Sequence, residues 1–201
     1  MTEPLSVALS LGLGYLFGSI PFGLLFTWAS GAGDVRKIGS GNIGATNVLR
    51  TGNRFAAAAT LLFDAGKGLA AVLIAGRLFG GEPALAAGLG AFLGHCFPVW
   101  LRFKGGKGVA VFLGIMFALS PIGGAGVAVS WIAAAAIWRI SSLSALIAAA
   151  LAPFYLLMLH EPANAGLAAL LGATIFFMHR DNIRRLLAGN EPRIGAKSAG
   201  A

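Results

Sequence analysis

Short polar breaks divide this chain into apolar runs covering roughly residues 5–29, 55–80, 84–101, 109–120, 122–138, 142–159 and 163–179. Most approach the ~20 residues that a helix needs to cross ~30 Å of hydrocarbon. The pattern predicts an all-α integral membrane protein, a bundle of about seven transmembrane helices. The run at 109–120 is short, and Pro121 separates it from its neighbour, so 109–138 reads as two spans or as one broken helix. Glycines recur inside the runs, as in Leu11-Gly12-Leu13-Gly14 and Leu89-Gly90. For most of them the reading is close helix packing through small residues. The chain shows no repeat and no inverted pair of halves, and 1–201 reads as a single domain. From about residue 190, with Pro192, Lys197 and Ser198, a loosely structured tail is expected.

Composition agrees with a lipid solvent. At 57% hydrophobic and 11% charged residues, with a mean hydropathy of +0.82, the chain has too little polar surface for a soluble globule of 201 residues. Met1–Pro4 carries Glu3 and no basic residue, and no small-residue cleavage signal follows the first apolar run, so that run is read as a retained helix. The single cysteine, Cys96, excludes an internal disulfide and has no partner at a metal-ligand spacing.

The basic residues then give an orientation. If all seven runs span, one side holds all but two of the 15 Lys and Arg. They are Arg36, Lys37, Arg50 and Arg54, then Arg102, Lys104 and Lys107, then Arg139, then Arg180, Arg184, Arg185, Arg193 and Lys197. The other side holds Arg77 with Glu3, Glu82 and Glu161, while Lys67 lies within a span. The positive-inside rule makes the basic side and the C-terminus cytoplasmic, with the N-terminus outside.

Every chemically rich stretch falls on that basic side: GSGNIGATNVLR at 39–50, RFKGGKG at 102–108, RISSLS at 139–144 and HRDNIRR at 179–185. Positive charge beside a membrane can simply fix topology and attract anionic headgroups. The glycines need a further reason. Glycine lets backbone N–H groups approach an anion, a nearby lysine adds a point charge, and GGKG at 105–108 leads directly into an apolar helix whose N-terminal dipole favours phosphate. It is not a P-loop, because G-x-x-x-x-G-K-[ST] and its preceding strand are absent.

Three further groups stand out. His179 and Asn182 are three apart at the end of the last run and share a helix face, suiting proton handling and polarisation, or merely a polar helix end. Asp64 and Lys67 lie well inside the second run at i,i+3. The preferred reading is an ion pair supporting the site from beneath, with direct substrate contact second. His95 is either a packing residue or part of the pocket wall.

Together these motifs resemble the bacterial acyl-phosphate:glycerol-3-phosphate acyltransferases. The resemblance is carried in order by GSIPFG at 18–23, DVRKIGSGNIGATNVLR at 34–50, DAGKG at 64–68, GHCFPVWLRFKGGKGVA at 94–110, SLS at 142–144 and HRDNIRRLLAGNEPRIG at 179–195. One departure is Val111, where the family's GGKGVAT has threonine, which puts one phosphate contact in doubt. The resemblance implies transfer of a fatty acyl group from acyl phosphate to the sn-1 hydroxyl of glycerol 3-phosphate, giving lysophosphatidic acid and phosphate. It places the enzyme in the bacterial inner membrane, with its active site on the cytoplasmic face.

The same resemblance implies that His179 and Asn182 place the hydroxyl and stabilise the developing oxyanion. Ser40, Arg50, Lys107 and Ser142 would hold the phosphate and glycerol of glycerol 3-phosphate. Asn42, Thr46 and Asn47 would bond the acyl phosphate or shape their loop, and Gly44, His95, Lys104, Gly105, Gly106 and Gly108 complete the substrate-binding set. Expected partners are the two substrates and membrane lipids, with no nucleic acid, cofactor or metal. No G-x-S-x-G elbow is present, so direct attack on an already activated donor is expected. Two rivals remain. A transporter for a phosphorylated anion would carry repeats and a mid-bilayer site; a lipid-binding scaffold would not need His179 beside Asn182.

Overall fold

The computed structural model describes residues 2–195, and its regular elements are all helical. Lys197 and Ser198 of the expected tail lie outside the described residues. The helices are α1 (Glu3–Gly18), α2 (Phe22–Ala29), α3 (Ala45–Val48), α4 (Arg54–Phe79), α5 (Gly81–Cys96), α6 (Val109–Leu119), α7 (Pro121–Trp138), α8 (Ser141–Met158), α9 (Pro162–Met178) and α10 (Arg180–Leu187). Caps set several starts: the Asn53 side chain accepts from Ala56 N–H at 2.9 Å, and Ser120 accepts from Gly123 N–H at 3.2 Å just ahead of Pro121.

On α1 and α4 much of the burial is inverted relative to a water-soluble protein, beside an apolar core that includes Phe92, Phe112, Met116 and Leu156. α1 buries Ser6, Ser10, Gly14 and Gly18 and turns Leu5, Leu9, Leu13, Leu16 and Phe17 outward. On α4 the buried face includes Thr60, Asp64, Lys67 and Gly68, and Leu62, Leu73 and Ile74 are exposed. Large apolar side chains outside and small or polar ones inside are what a hydrocarbon solvent requires.

Five segments are long and apolar enough to cross a bilayer: Glu3–Ala29, Arg54–Phe79, Gly81–Leu101, Pro121–Trp138 and Ser141–Met158. α9 and α10 form a sixth only as a pair bent by 63°. α6, with 11 residues, is about 16 Å long, well short of the hydrocarbon thickness. The open question over 109–138 resolves as a hairpin of two helices. The chain reverses at Ser120–Pro121, and Gly124 of α7 packs so tightly on Phe117 that an added Cβ would meet its Cα at 2.7 Å.

The run at 5–29 is not one helix. It breaks at Ser19–Pro21, and the carbonyls freed there find donors elsewhere: Trp100 Nε1 reaches Ser19 O and Lys67 Nζ reaches Ile20 O, each at 2.8 Å. Intramembrane glycines pack helices together, as expected. A Cβ on Gly14 or Gly18 of α1 would collide with the Ala87 or Ala91 carbonyl of α5, and one on Gly90 or Gly94 of α5 with the Leu11 or Tyr15 carbonyl of α1. Val111 is fully buried, its side chain against Gly68, so the residue that departs from the family pattern packs in the core.

Candidate active site

The four polar stretches meet at one end of the bundle. Thr46 Oγ1 lies 3.1 Å from Ser141 Oγ, Lys107 Nζ donates to Asn182 Oδ1, Ser142 Oγ donates to Glu191 at 2.7 Å, and Ile194 N–H donates to Arg139 O at 2.6 Å. At the opposite end the polar contacts are sparse: Ser120 donates to Glu161, and Asn164 donates to Glu161 and the Leu119 carbonyl.

Asn47 builds the first loop. Its amide nitrogen donates to the carbonyls of Val35, Ile38 and Asn42 at 2.8–3.0 Å, and its oxygen accepts from Ser40 N–H at 3.1 Å. Buried and with its amide hydrogens given to three carbonyls, the Asn47 side chain ties the loop together. Asn42 likewise turns the chain by accepting from Gly44 N–H at 2.9 Å. Gly39 adopts φ +54°, and the Arg50 side chain lies across it where a Cβ would stand. Ser40, Thr46 and Arg50 remain exposed on the rim.

The glycine-lysine loop differs from expectation. Gly105 and Gly106 give their N–H groups to the carbonyls of Cys96 and His95, at 3.1 and 3.0 Å, so neither amide is free for a phosphate. They are glycine because the loop presses on α5: a Cβ on Gly106 would overlap the His95 ring, and one on Gly105 the His95 carbonyl. Gly108 takes φ +82° beneath the Phe92 ring and starts α6, whose N-terminus has no side-chain cap. An uncapped helix start leaves first-turn N–H groups for an anion. Lys104, in contrast, stands exposed on the turn with no side-chain partner among the described residues.

Beneath this loop lies the expected ion pair. Lys67 Nζ is 2.7 Å from Asp64 Oδ1 and also meets His95 Nδ1 at 3.0 Å and the Ile20 carbonyl. The His95 ring is buried between this pair and Gly106.

His179 sits at the bend between α9 and α10, buried, with Nδ1 2.8 Å from Ile175 O. A carbonyl can only accept, so Nδ1 carries the proton and Nε2 presents its lone pair, with no partner among the described residues. Burial, and next the Lys107 charge, bring its pKa down to about 4, so the ring is neutral near pH 7. Burial also lowers Lys107 to about 8, Arg185 and Arg50 adding repulsion while Glu191 opposes. The cation persists at neutral pH.

Glu191 completes the cluster and was not anticipated. It stands in the segment expected to be loose, yet its Oε1 accepts from Ser142 and from Asn182 Nδ2 at 2.5 Å, and its Oε2 from Arg185 Nε at 2.7 Å. Burial pushes this carboxyl upward, but its donors outweigh that and hold it below the usual carboxylate range. The available signal was a lone carboxylate in a strongly basic tail. Two of its partners, Asn182 and Arg185, lie on the preceding α10, and the third, Ser142, comes from the distant α8. Among the described residues Asp181 pairs with Arg184 alone, in the open.

A family model described as glycerol-3-phosphate acyltransferase matches residues 8–189. The chain belongs to that family. Two similar acyltransferases carry the same description. One, from Agrobacterium fabrum, is 58% identical over 98% of this chain and 96% of its own length; the other, from Mesorhizobium japonicum, is 61% identical over 94% and 96%. The crystal structure of PlsY (YgiH), an integral membrane glycerol 3-phosphate acyltransferase, is 38% identical over 94% of this chain and 96% of its own. Its glycerol 3-phosphate form superimposes with a TM-score of 0.89, and its lysophosphatidic acid form with 0.88. Membership in this acyltransferase family sets aside the transporter and scaffold readings.

Proposed function

We propose that the protein moves a fatty acyl group from acyl phosphate to the sn-1 hydroxyl of glycerol 3-phosphate, at the cytoplasmic face of the bacterial inner membrane. The observation that carries this reading is the His179 ring, whose Nδ1–H is held by Ile175 O and whose Nε2 has no partner among the described residues, three positions before the Asn182 that Lys107 reaches. The ring accepts a hydrogen bond from an alcohol and Lys107 neutralises a phosphate. The solved relative, known in glycerol 3-phosphate and lysophosphatidic acid forms, supports that acceptor and product.

In this reading Lys107, Arg50, Ser40 and the uncapped start of α6 hold phosphate, with Lys107 as the central charge. The sn-1 oxygen, hydrogen-bonded to His179, attacks the acyl carbonyl; the new C–O ester bond forms and the acyl C–O bond to phosphate breaks. Lys107 and the spare N–H of Asn182 steady the negative charge that develops. His179, its ring fixed through Nδ1–H by Ile175 O, orients the hydroxyl, and the departing phosphate takes its proton. The donor is already activated, and no covalent acyl-enzyme is required. The acyl chain lies between helices, open to the bilayer. All seven apolar runs, the short α6 included, cross or enter the membrane, with the N-terminus outside.

Purified protein given acyl phosphate and glycerol 3-phosphate in detergent should yield one phosphate per lysophosphatidic acid, and none with acyl-CoA or acyl carrier protein as donor. Product from acyl-CoA but not from acyl phosphate rejects the proposed donor.

A further inference from the structure

The mechanism above makes no use of Glu191, although its side chain is only 6% exposed and touches three residues of the site. Its chemistry fixes the direction of every hydrogen bond around it. An ionised carboxylate has no proton to give, so Ser142 must spend its only hydroxyl proton on Glu191, across 2.7 Å. Ser142 Oγ can then offer substrate nothing but a lone pair. Asn182 is oriented just as firmly: Lys107 only donates, so Oδ1 faces Lys107 and Nδ2 faces Glu191.

A lone pair is poorly suited to a phosphate oxygen and well suited to a hydroxyl. Glycerol 3-phosphate has two hydroxyls. On the functional reading above, which this argument rests on, the sn-1 hydroxyl belongs to the free Nε2 of His179. The central hydroxyl is the remaining donor. We infer that Glu191 is a specificity-determining positioning residue: by holding Ser142 as a hydrogen-bond acceptor, it selects an acceptor substrate bearing a hydroxyl at its central carbon. Ser142 therefore serves the glycerol half of the substrate and not its phosphate. The ketone analogue, dihydroxyacetone phosphate, keeps the reacting hydroxyl and the phosphate but brings a carbonyl oxygen against the Ser142 lone pair. A buried acceptor facing another acceptor loses its bond and is left unsatisfied, which strongly disfavours that substrate.

The test compares kcat/KM for glycerol 3-phosphate and for dihydroxyacetone phosphate, with acyl phosphate as donor, on the full-length protein in detergent. The wild type should prefer glycerol 3-phosphate by about a hundredfold. Glu191→Gln can present an N–H to Ser142, freeing that hydroxyl to donate, and should cut the preference about tenfold or more. Ser142→Ala removes the acceptor itself and should shrink the preference by a similar factor; it decides the matter if Glu191→Gln does not fold. Proportional loss of both substrates in a folded variant overturns the inference, because a residue that merely anchors the tail would not discriminate. A wild type that uses both substrates equally overturns it alone, leaving the functional reading intact. A wild type that acylates neither fails the functional reading, and the inference falls with it.

Discussion

The Nδ1–H of His179 is held by the carbonyl of Ile175, 2.8 Å away and one helical turn earlier, so the α9 backbone fixes the tautomer of the candidate catalytic ring. The other ring nitrogen, Nε2, is left without a partner among the described residues. His179→Ala should therefore lower kcat by about 10²–10³-fold while KM for glycerol 3-phosphate changes only a few-fold. Phosphate-release kinetics check this, and turnover within fivefold of wild type removes His179 from the mechanism.

Lys107 carries charge below about pH 8 and loses it above. Because kcat/KM reports the free enzyme, its basic limb for glycerol 3-phosphate should fall near that pH. Lys107→Arg keeps the cation at all accessible pH and should abolish that limb, with lower activity at pH 7 from the bulkier head. A limb unmoved in the arginine variant assigns it to another group.

Lys67→Met would strand the buried Asp64 charge and should cost about 3–5 kcal/mol, read as lower melting temperature and yield in detergent. The pair Asp64→Leu, Lys67→Met removes both charges and should melt above the single variant. If the double variant is the less stable, the ion pair contributes stability beyond mutual neutralisation.

Gly12 and Gly14 give a matched comparison on one helix. A Cβ on Gly12 meets nothing within 4 Å, whereas on Gly14 it strikes the Ala87 backbone. Gly12→Ala should leave thermal stability at or slightly above wild type, and Gly14→Ala should lower it by about 1–3 kcal/mol. Equal melting of the two would mean that α1 and α5 do not pack this closely.

Asn47→Asp turns a buried carboxylate toward the carbonyls of Val35, Ile38 and Asn42 and removes both amide donors. The expected cost is about 3 kcal/mol or more, with residues 35–50 opened to limited proteolysis. Ser40→Ala, which keeps the backbone bond to Asn47, should weaken substrate binding without that proteolytic sensitivity.

The apolar runs and basic breaks determined the solvent, the helices to within a few residues, and which stretches carry the chemistry, because hydrophobic period and charge are local properties of the chain. The Asp64–Lys67 pair was legible for the same reason: i,i+3 is a distance within one helix. The interruption at Ser19–Pro21 went unseen because the apolar run continues past it, although Pro21 was a signal for it, and what only packing shows is that Trp100 and Lys67 arrive to satisfy the freed carbonyls. GGKG looked like a cradle of free amides, and only packing shows that two of them are already spent on α5. Glu191 escaped notice because a carboxylate in a tail has no intrinsic role. Ser142, 49 positions away, together with Asn182 and Arg185, makes it part of the site, and hydrogen-bond partners at that separation are chosen by how helices pack, which no local pattern encodes.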